Sequence, residues 1–215
     1  MTVAVEKPAR PDLEAFQKLV SIDEFLEGYP ENSAVRYELR RGVIIEMPQP
    51  RGKHSEVAAF SRDEFIFEIR LGNLPYFIPT DIVIKRSNDT GYVPDVVVLD
   101  RAGLIDEPRW ETRSTIENGT SIKLVIEVVS TNWQDDYETK MADYEAIGIP
   151  EYWILDYAGL RGVRHIGRPK QPTLTICTFV DGEYLPRQFR DDEAIVSPTF
   201  PKLNLTAAQV LNAGR

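Results

Sequence analysis

The sequence lacks most features of secreted, membrane-spanning or cysteine-rich metal proteins. It has one cysteine, Cys177, among 215 residues, so it can form neither an intramolecular disulfide framework nor a cysteine-rich zinc site. No apolar run approaches the ~20 residues of a membrane span, and the first 13 residues lack the apolar core of a signal peptide. These absences predict a soluble protein of the reducing cytoplasm with no membrane partner.

Positive charge is also scarce. The sequence contains 25 Lys and Arg residues and 34 Asp and Glu residues, which gives a formal net charge of -9. Because phosphate neutralisation drives non-specific binding to nucleic acid, this balance argues against a protein that coats nucleic acid, but it permits an enzyme with a local basic groove. A basic stretch over residues 161–170 has no interleaved aromatic residues for base stacking, and we interpret it as a solvated connection.

The hydrophobic content of 42% is enough for a sizeable core. Residues 1–15 are polar and contain prolines, so we predict a flexible N-terminal arm there and a single domain over residues 16–215. Ser21 and Glu24 have the spacing of a capping box that starts a short helix. Residues 35–47 have the pattern of a β-hairpin with Gly42 at its turn.

The rest of the chain alternates between strand and helix patterns. Residues 53–71 are predicted to be a long helix with an apolar stripe formed by Val57, Phe60, Phe67 and Leu71. A second capping box, Thr131 to Gln134, should start a helix with a stripe of Tyr137, Met141 and Tyr144. Strands are predicted at 77–84, 95–99, 124–129 and 152–155, followed by an antiparallel pair at 174–180 and 183–189. This order predicts an α/β fold with a mixed central sheet flanked by helices, in which strands 124–129 and 152–155 are parallel.

Two carboxylates lie where core strands normally carry aliphatic side chains. Asp95 precedes Val96-Val97-Val98-Leu99, and Glu127 interrupts Leu124-Val125-Ile126 and Val128-Val129. Burying an unpartnered carboxylate costs several kcal/mol or more, so such positions indicate a metal ion, a proton relay or a cleft. If the two strands are neighbours, both acids can point into one cleft.

Lys140 lies beside the apolar stripe of the following helix, on the same side as Asp136 and Tyr144. A lysine at this position can reach back over the end of the preceding strand. Two carboxylates with open coordination positions suit Mg²⁺, and a nearby ammonium can orient an attacking water and stabilise charge on a phosphate.

These residues resemble a known motif. Pro94-Asp95 followed by Glu127 is similar to the PD-(D/E)XK motif of restriction-endonuclease-like nucleases, except that Val129 occupies the place of the usual lysine. The chain resembles the Uma family of restriction-endonuclease-like bacterial proteins, in which the lysine has moved to the next helix, here as Lys140. The likeness also includes Tyr37-Glu38-Leu39 with Gly42, His54, the spacing of Asp136, Lys140 and Tyr144, the string from Gly148 to Asp156, and Ser197-Pro198. Arg40-Arg41 departs from relatives, which often carry an acidic residue before the glycine.

The resemblance implies a restriction-endonuclease-like fold with an added N-terminal hairpin and C-terminal antiparallel strands. It also implies a DNA endonuclease that uses Mg²⁺, with Mn²⁺ as a substitute, and a homodimer is one option because many nucleases of this fold cut as dimers. Asp95, Glu127 and the carbonyl of Val128 would bind the metal, and Lys140 would position the water. Glu38 and His54 would be auxiliary, as a further acid and as a phosphate or proton contact.

Other interpretations of these residues stay open at this point. Asp95 could be satisfied by a backbone amide, Glu127 could pair with an arginine, and Lys140 could be a surface charge beside Asp136. Glu38 could face solvent and His54 could be an ordinary helix-start residue, while Tyr144, Trp153 and Cys177 are expected in the core. Alternative functions are a catalytically silent nuclease-fold module and a carboxylate-pair hydrolase such as a glycosidase, which needs neither metal nor lysine. The sequence leaves cleavage specificity, strand preference and oligomeric state open.

Overall fold

The computed structural model describes residues 19–30, 35–130 and 134–213. The predicted N-terminal arm and most of the predicted capping box at Thr131 lie outside these residues. The helices are α1 Ile22–Gly28, α2 Gly52–Leu71, α3 Trp110–Arg113, α4 Lys140–Ala146, α5 Val163–Ile166 and α6 Ala207–Leu211. The strands are β1 Tyr37–Arg40, β2 Val43–Glu46, β3 Tyr76–Phe77, β4 Val83–Ser87, β5 Thr90–Tyr92, β6 Val96–Asp100, β7 Thr115–Ile116, β8 Ile122–Val128, β9 Glu151–Asp156, β10 Thr173–Val180 and β11 Glu183–Phe189. Among the described residues, no helix combines the length and apolarity that crossing a bilayer requires.

Within the described residues the strands form two mixed sheets, one six-stranded in the order β11-β10-β9-β8-β6-β3 and one five-stranded in the order β2-β1-β5-β4-β7. β8 and β9 are parallel, and β6 runs antiparallel to β8 with Val96 opposite Ile126. The predicted mixed α/β fold and the predicted parallel pairing of β8 and β9 are therefore confirmed, and the two acid-bearing segments are neighbours, which is the condition for both acids to point into one cleft. The N-terminal hairpin belongs to the second sheet, where β1 pairs with β5.

The single strand predicted at 77–84 is wrong. The chain instead forms β3, which pairs with β6, and then β4, which belongs to the other sheet. Pro79 has no N–H to donate to a ladder, and Asp81 has a left-handed φ of 52°, so a regular strand cannot continue through this segment. The break lets the chain pass from one sheet to the other.

The predicted apolar stripe of α2 is correct only in part. Val57 and Phe65 are buried, and Phe65 packs against Trp153 and Phe200. Phe67 and Leu71 are 58% and 67% exposed. The buried residues of α2 are Val57, Ser61 and Phe65, which are spaced four apart and form the row that faces the six-stranded sheet. Phe67 and Leu71 lie outside that row.

Both predicted hairpins are present. The β1-β2 turn has positive φ at Arg41 and Gly42, 50° and 78°, as a two-residue turn of the I′ type requires. The turn between β10 and β11 has the same signature at Asp181 and Gly182. The capping box of α1 is formed, because the Ser21 hydroxyl accepts from the Glu24 N–H and Glu24 accepts from the Ser21 N–H.

The connection between β8 and β9 positions the functional helix. Before α4, residues Asp135–Thr139 form a π-helical turn, in which the Lys140 N–H bonds to the Asp135 carbonyl. Tyr137 and Tyr144 are buried as predicted, and the α4 segment is followed by Gly148 with φ 72°. The π turn was not predicted, and such turns are frequent at functional sites.

Candidate active site

The predicted site residues come together at one end of β8. A pocket of about 300 Å³ is lined by His54 from the start of α2, Asp95 before β6, Glu127 and Val128 of β8, and Lys140 of α4. Glu38 of β1 is fully buried and contacts Lys140 from the second sheet. Residues far apart in sequence thus meet in one cleft between the two sheets.

Lys140 lies at the centre of this cluster. Its side chain is 3% exposed, and its Nζ is 2.9 Å from Oε1 of Glu127 and 3.1 Å from Oε1 of Glu38. Asp136 is next, with its Oδ1 at 3.8 Å. Burial works against the lysine's charge, but Glu127, Glu38 and Asp136 together hold the pKa of Lys140 well above its ordinary value. The surface-charge interpretation of Lys140 is therefore wrong.

The carboxylates around Lys140 differ in electrostatic state. Burial raises the pKa of Glu127 to about 8 and that of Asp136 to about 7, although Lys140 acts in the opposite direction. For Glu38 burial is outweighed by Lys140 and Arg40, which lower its pKa. Burial therefore favours the neutral form of Glu127 and Asp136, whereas the two cations favour the ionised form of Glu38.

Glu38 and Glu127 are each fixed by a second group. The Arg40 guanidinium donates to Oε2 of Glu38 through Nε at 3.0 Å and Nη2 at 2.7 Å, and the Val93 N–H donates to Oε1. The Tyr144 hydroxyl donates to Oε1 of Glu127 at 2.9 Å. The solvent-facing interpretation of Glu38 is wrong, and Glu127 pairs with a lysine instead of an arginine.

Asp95 is held by its own set of donors. Its Oδ2 accepts from the Val128 N–H at 2.8 Å and lies 3.3 Å from Nε2 of His54. Burial opposes its charge, but the hydrogen bond and charge of His54 lower the pKa of Asp95. In turn, burial opposes protonation of His54, but Asp95 and then the Val128 backbone raise the pKa of His54. Asp95 thus accepts from a backbone amide, as one interpretation expected, and also lines the pocket.

Sequence reasoning missed part of the site. Asp136 was treated only as a local partner of Lys140, yet it is 7% exposed and lines the pocket. Arg40 and Asp135, which form an ion pair with each other, also line the pocket. The Tyr144 contact to Glu127 was missed because an aromatic residue in an apolar stripe normally indicates core packing. The only sequence feature that pointed to Arg40 was that relatives often carry an acidic residue before this glycine.

The oxygens near the pocket suit a hard cation that keeps some of its waters. Among the described residues, Oδ1 of Asp95 has only Arg36 as a partner, at 4.0 Å, and Oε2 of Glu127 accepts no hydrogen bond. No group of three or more His, Cys, Asp or Glu residues in the described part of the chain is arranged to hold a metal ion. Side chains of these types in the described part of the chain therefore supply fewer than three ligands to any one ion, so Mg²⁺ here would need a backbone carbonyl and waters at its other positions.

Comparison with known proteins identifies the family. The model of the Uma2 family, described as "Putative restriction endonuclease", matches residues 22–208, so the chain belongs to this family and the resemblance seen in the motifs is confirmed. A search of curated proteins found no match. A similar solved structure is that of a protein from Anabaena variabilis titled a putative nuclease belonging to DUF820. It is 18% identical, with a TM-score of 0.69, and the match covers 91% of this chain and 99% of that chain. At this identity the likeness shows the fold alone.

Proposed function

We propose that this member of the Uma2 family is a metal-dependent endonuclease that hydrolyses DNA phosphodiester bonds. The observation that carries the proposal is the convergence of Asp95, Glu127 and Lys140 in one pocket from three separate segments of the chain. The family description and the name of the similar solved protein support the same class of reaction. The cytoplasmic location and the homodimer stay predictions.

The proposed cofactor is Mg²⁺, with Mn²⁺ as a substitute. Asp95 and Glu127 would hold it through the oxygens that the protein leaves available, and the Val128 carbonyl is the candidate third ligand. A bound divalent cation supplies a water of lowered pKa and positive charge beside a phosphoryl oxygen.

The chain's own groups have distinct roles in this proposal. The His54 imidazole and the Val128 N–H hold Oδ2 of Asp95, so Oδ1 is the oxygen proposed to bind the metal ion. Glu38 holds the Lys140 side chain in position through their 3.1 Å contact. Tyr144 holds Glu127 in position by donating a hydrogen bond to it. Lys140 places a permanent positive charge next to Glu127, where it stabilises negative charge that develops on the phosphate.

One observation favours a second candidate, a catalytically silent nuclease-fold module. The Lys140 ammonium is nearly inaccessible to solvent, and it already contacts the carboxyl groups of Glu38 and Glu127. In that case the cluster would stabilise the fold, and the protein would bind a partner without cutting it.

The test is cleavage of supercoiled and linear DNA by purified protein with Mg²⁺, Mn²⁺ or a chelator. Glu127→Gln and Lys140→Ala, each checked for folding, should lower the cleavage rate by about 10²-fold or more, because each removes a charged group that acts on the reacting centre. Lys202→Ala, an exposed lysine distant in sequence from the site residues, is the matched control. Cutting by Glu127→Gln at the wild-type rate would contradict the proposal. Metal binding that Asp95→Asn abolishes, without cutting under any metal, would favour the silent module.

A further inference from the structure

A second depression lies beside the active-site pocket. This depression, of about 130 Å³, is lined by Arg36, Arg62, Thr80 and Pro94, among others, and it shares Arg36 and Asp95 with the first pocket. Asp95 and Arg36 therefore lie between the two depressions. A substrate larger than one phosphate group can extend past Asp95 in this direction.

The cations around the cleft differ in how fully the protein already uses them. Lys140 and Arg40 are engaged by carboxylates at 2.7 to 3.1 Å. The Arg36 guanidinium makes no hydrogen bond to any residue that the structure describes, and its one ion pair, to Oδ1 of Asp95, is 4.0 Å long. Its side chain is 32% exposed. The N–H groups of the Arg36 guanidinium are therefore available to donate hydrogen bonds to a ligand.

Arg62 is similar. Its side chain is 43% exposed, and within the described part of the chain its polar contacts are to one oxygen of Asp63, the next residue, at 3.3 Å. An exposed contact of this kind contributes about 0–1 kcal/mol, so a phosphate can replace it at little cost. Guanidinium groups match phosphate oxygens in a bidentate geometry, which makes two arginines in one depression suitable for a sugar-phosphate backbone.

The need for these arginines follows from the charge of the site. The pocket wall carries the carboxylates Glu46, Asp95, Glu127, Asp135 and Asp136 beside the cations Arg36, Arg40, Arg51 and Lys140, and the whole chain has a net charge of -9. A polyanion meets repulsion there unless cations beside the reacting centre bind its neighbouring phosphates. Arg36 and Arg62 are the arginines that line the depression next to Asp95.

We propose that the nucleic-acid strand cut in the pocket continues past Asp95 into this depression, where Arg36 and Arg62 bind its backbone phosphates. The inference rests on the proposed nuclease function and assigns the path of the substrate. Arg36 binds the phosphate next to the scissile one, and Arg62 binds further along the strand.

The experiment measures binding of short fluorescein-labelled DNA, single-stranded and duplex, by anisotropy over a series of salt concentrations in chelator. Arg36→Ala and Arg62→Ala should each weaken binding and should reduce the slope of log K against log[salt] by about 0.7 for single strands or about 0.9 for duplex per lost phosphate contact. Arg36→Lys should keep the slope while weakening binding less. Arg113→Ala, an exposed arginine of α3, is the control and should leave the slope unchanged.

The outcomes separate this inference from the nuclease proposal. Unchanged slopes in both Arg36→Ala and Arg62→Ala would overturn the inference even if the wild type cuts DNA, and so would absence of any binding by the wild type. Reduced slopes in a protein that binds but never cuts would support the inference while the nuclease proposal fails. A reduced slope in Arg164→Ala alone would overturn it in favour of the basic stretch at 161–170, because Arg164 is 83% exposed there. In a cutting enzyme, we expect Arg62→Ala to raise KM more than it lowers kcat.

Discussion

Removing the Lys140 ammonium should be among the most destabilising single changes in this protein. The lysine is 3% exposed and lies 2.9 Å from Glu127 and 3.1 Å from Glu38, which are 4% and 0% exposed. At an effective dielectric constant of about 20, the contact to Glu38, whose pKa is lowered, corresponds to about 5 kcal/mol of attraction before desolvation is subtracted. Because burial of both charges offsets part of this, we expect Lys140→Met to lower the free energy of unfolding by about 3 to 5 kcal/mol, the usual cost of leaving a buried partner unpaired.

The assay is urea unfolding at neutral pH in chelator, followed by tryptophan fluorescence. The double variant Lys140→Met with Glu38→Gln should be more stable than Lys140→Met alone, since Glu38 is the acid of lowered pKa that loses the lysine. Lys202→Met, at an exposed position, should change stability by no more than about 0.5 kcal/mol. If Lys140→Met unfolds within about 1 kcal/mol of the wild type, the lysine is not held between buried carboxylates and the reasoning is wrong.

Three further predictions follow from local features of the structure. The pKa of His54 is raised and the pKa of Asp95 is lowered, so their pairing stabilises the folded state. This stabilisation is fully present between the unfolded pKa of Asp, about 3.9, and the unfolded pKa of His, about 6.5. The contribution of the histidine is lost as the pH rises through its folded pKa. His54→Ala should therefore cost more stability at pH 5.5 than at pH 8.5 in chelator, and an equal cost at both would contradict the pairing. Burial raises the pKa of the Cys177 thiol to about 12, so a thiol reagent should label it only in denaturant, and rapid labelling of native protein would contradict its burial. A Cβ added at Gly119 would lie 1.9 Å from the Ile147 carbonyl oxygen, whereas one at Gly52 would meet nothing within 4 Å. Gly119→Ala should lower the midpoint of thermal unfolding sharply and Gly52→Ala should not, and equal midpoints would show that the Gly119 backbone is not in close contact with Ile147.

Much of the fold is encoded in short stretches of sequence. The alternation and turn residues around Gly42 and Gly182 predict both hairpins, because a two-residue turn requires positive φ and few residues adopt it. The apolar run around Glu127, the helix after it and the following strand predict a parallel pair with a crossover, which the structure confirms. The family motif also singles out Asp95, Glu127 and Lys140 by their order along the chain.

Other features are decided by contacts that local pattern does not encode. The break at Pro79 and Asp81 sends β3 and β4 to different sheets, and no periodicity in 77–84 distinguishes that arrangement from one continuous strand. The exposure of Phe67 and Leu71 depends on which row of α2 the sheet covers.

The candidate site illustrates the same division. The sequence alone identifies Asp95 and Glu127 as acids beside or within apolar strands, because the cost of burying a carboxylate depends on the local apolar context. Only the tertiary structure brings Glu38 and Arg40 from the second sheet to Lys140 and Asp135, since those contacts depend on how β1 and the π turn pack together. The pairing of charges across a cleft is a property of three-dimensional packing, and residue spacing along the chain does not contain it.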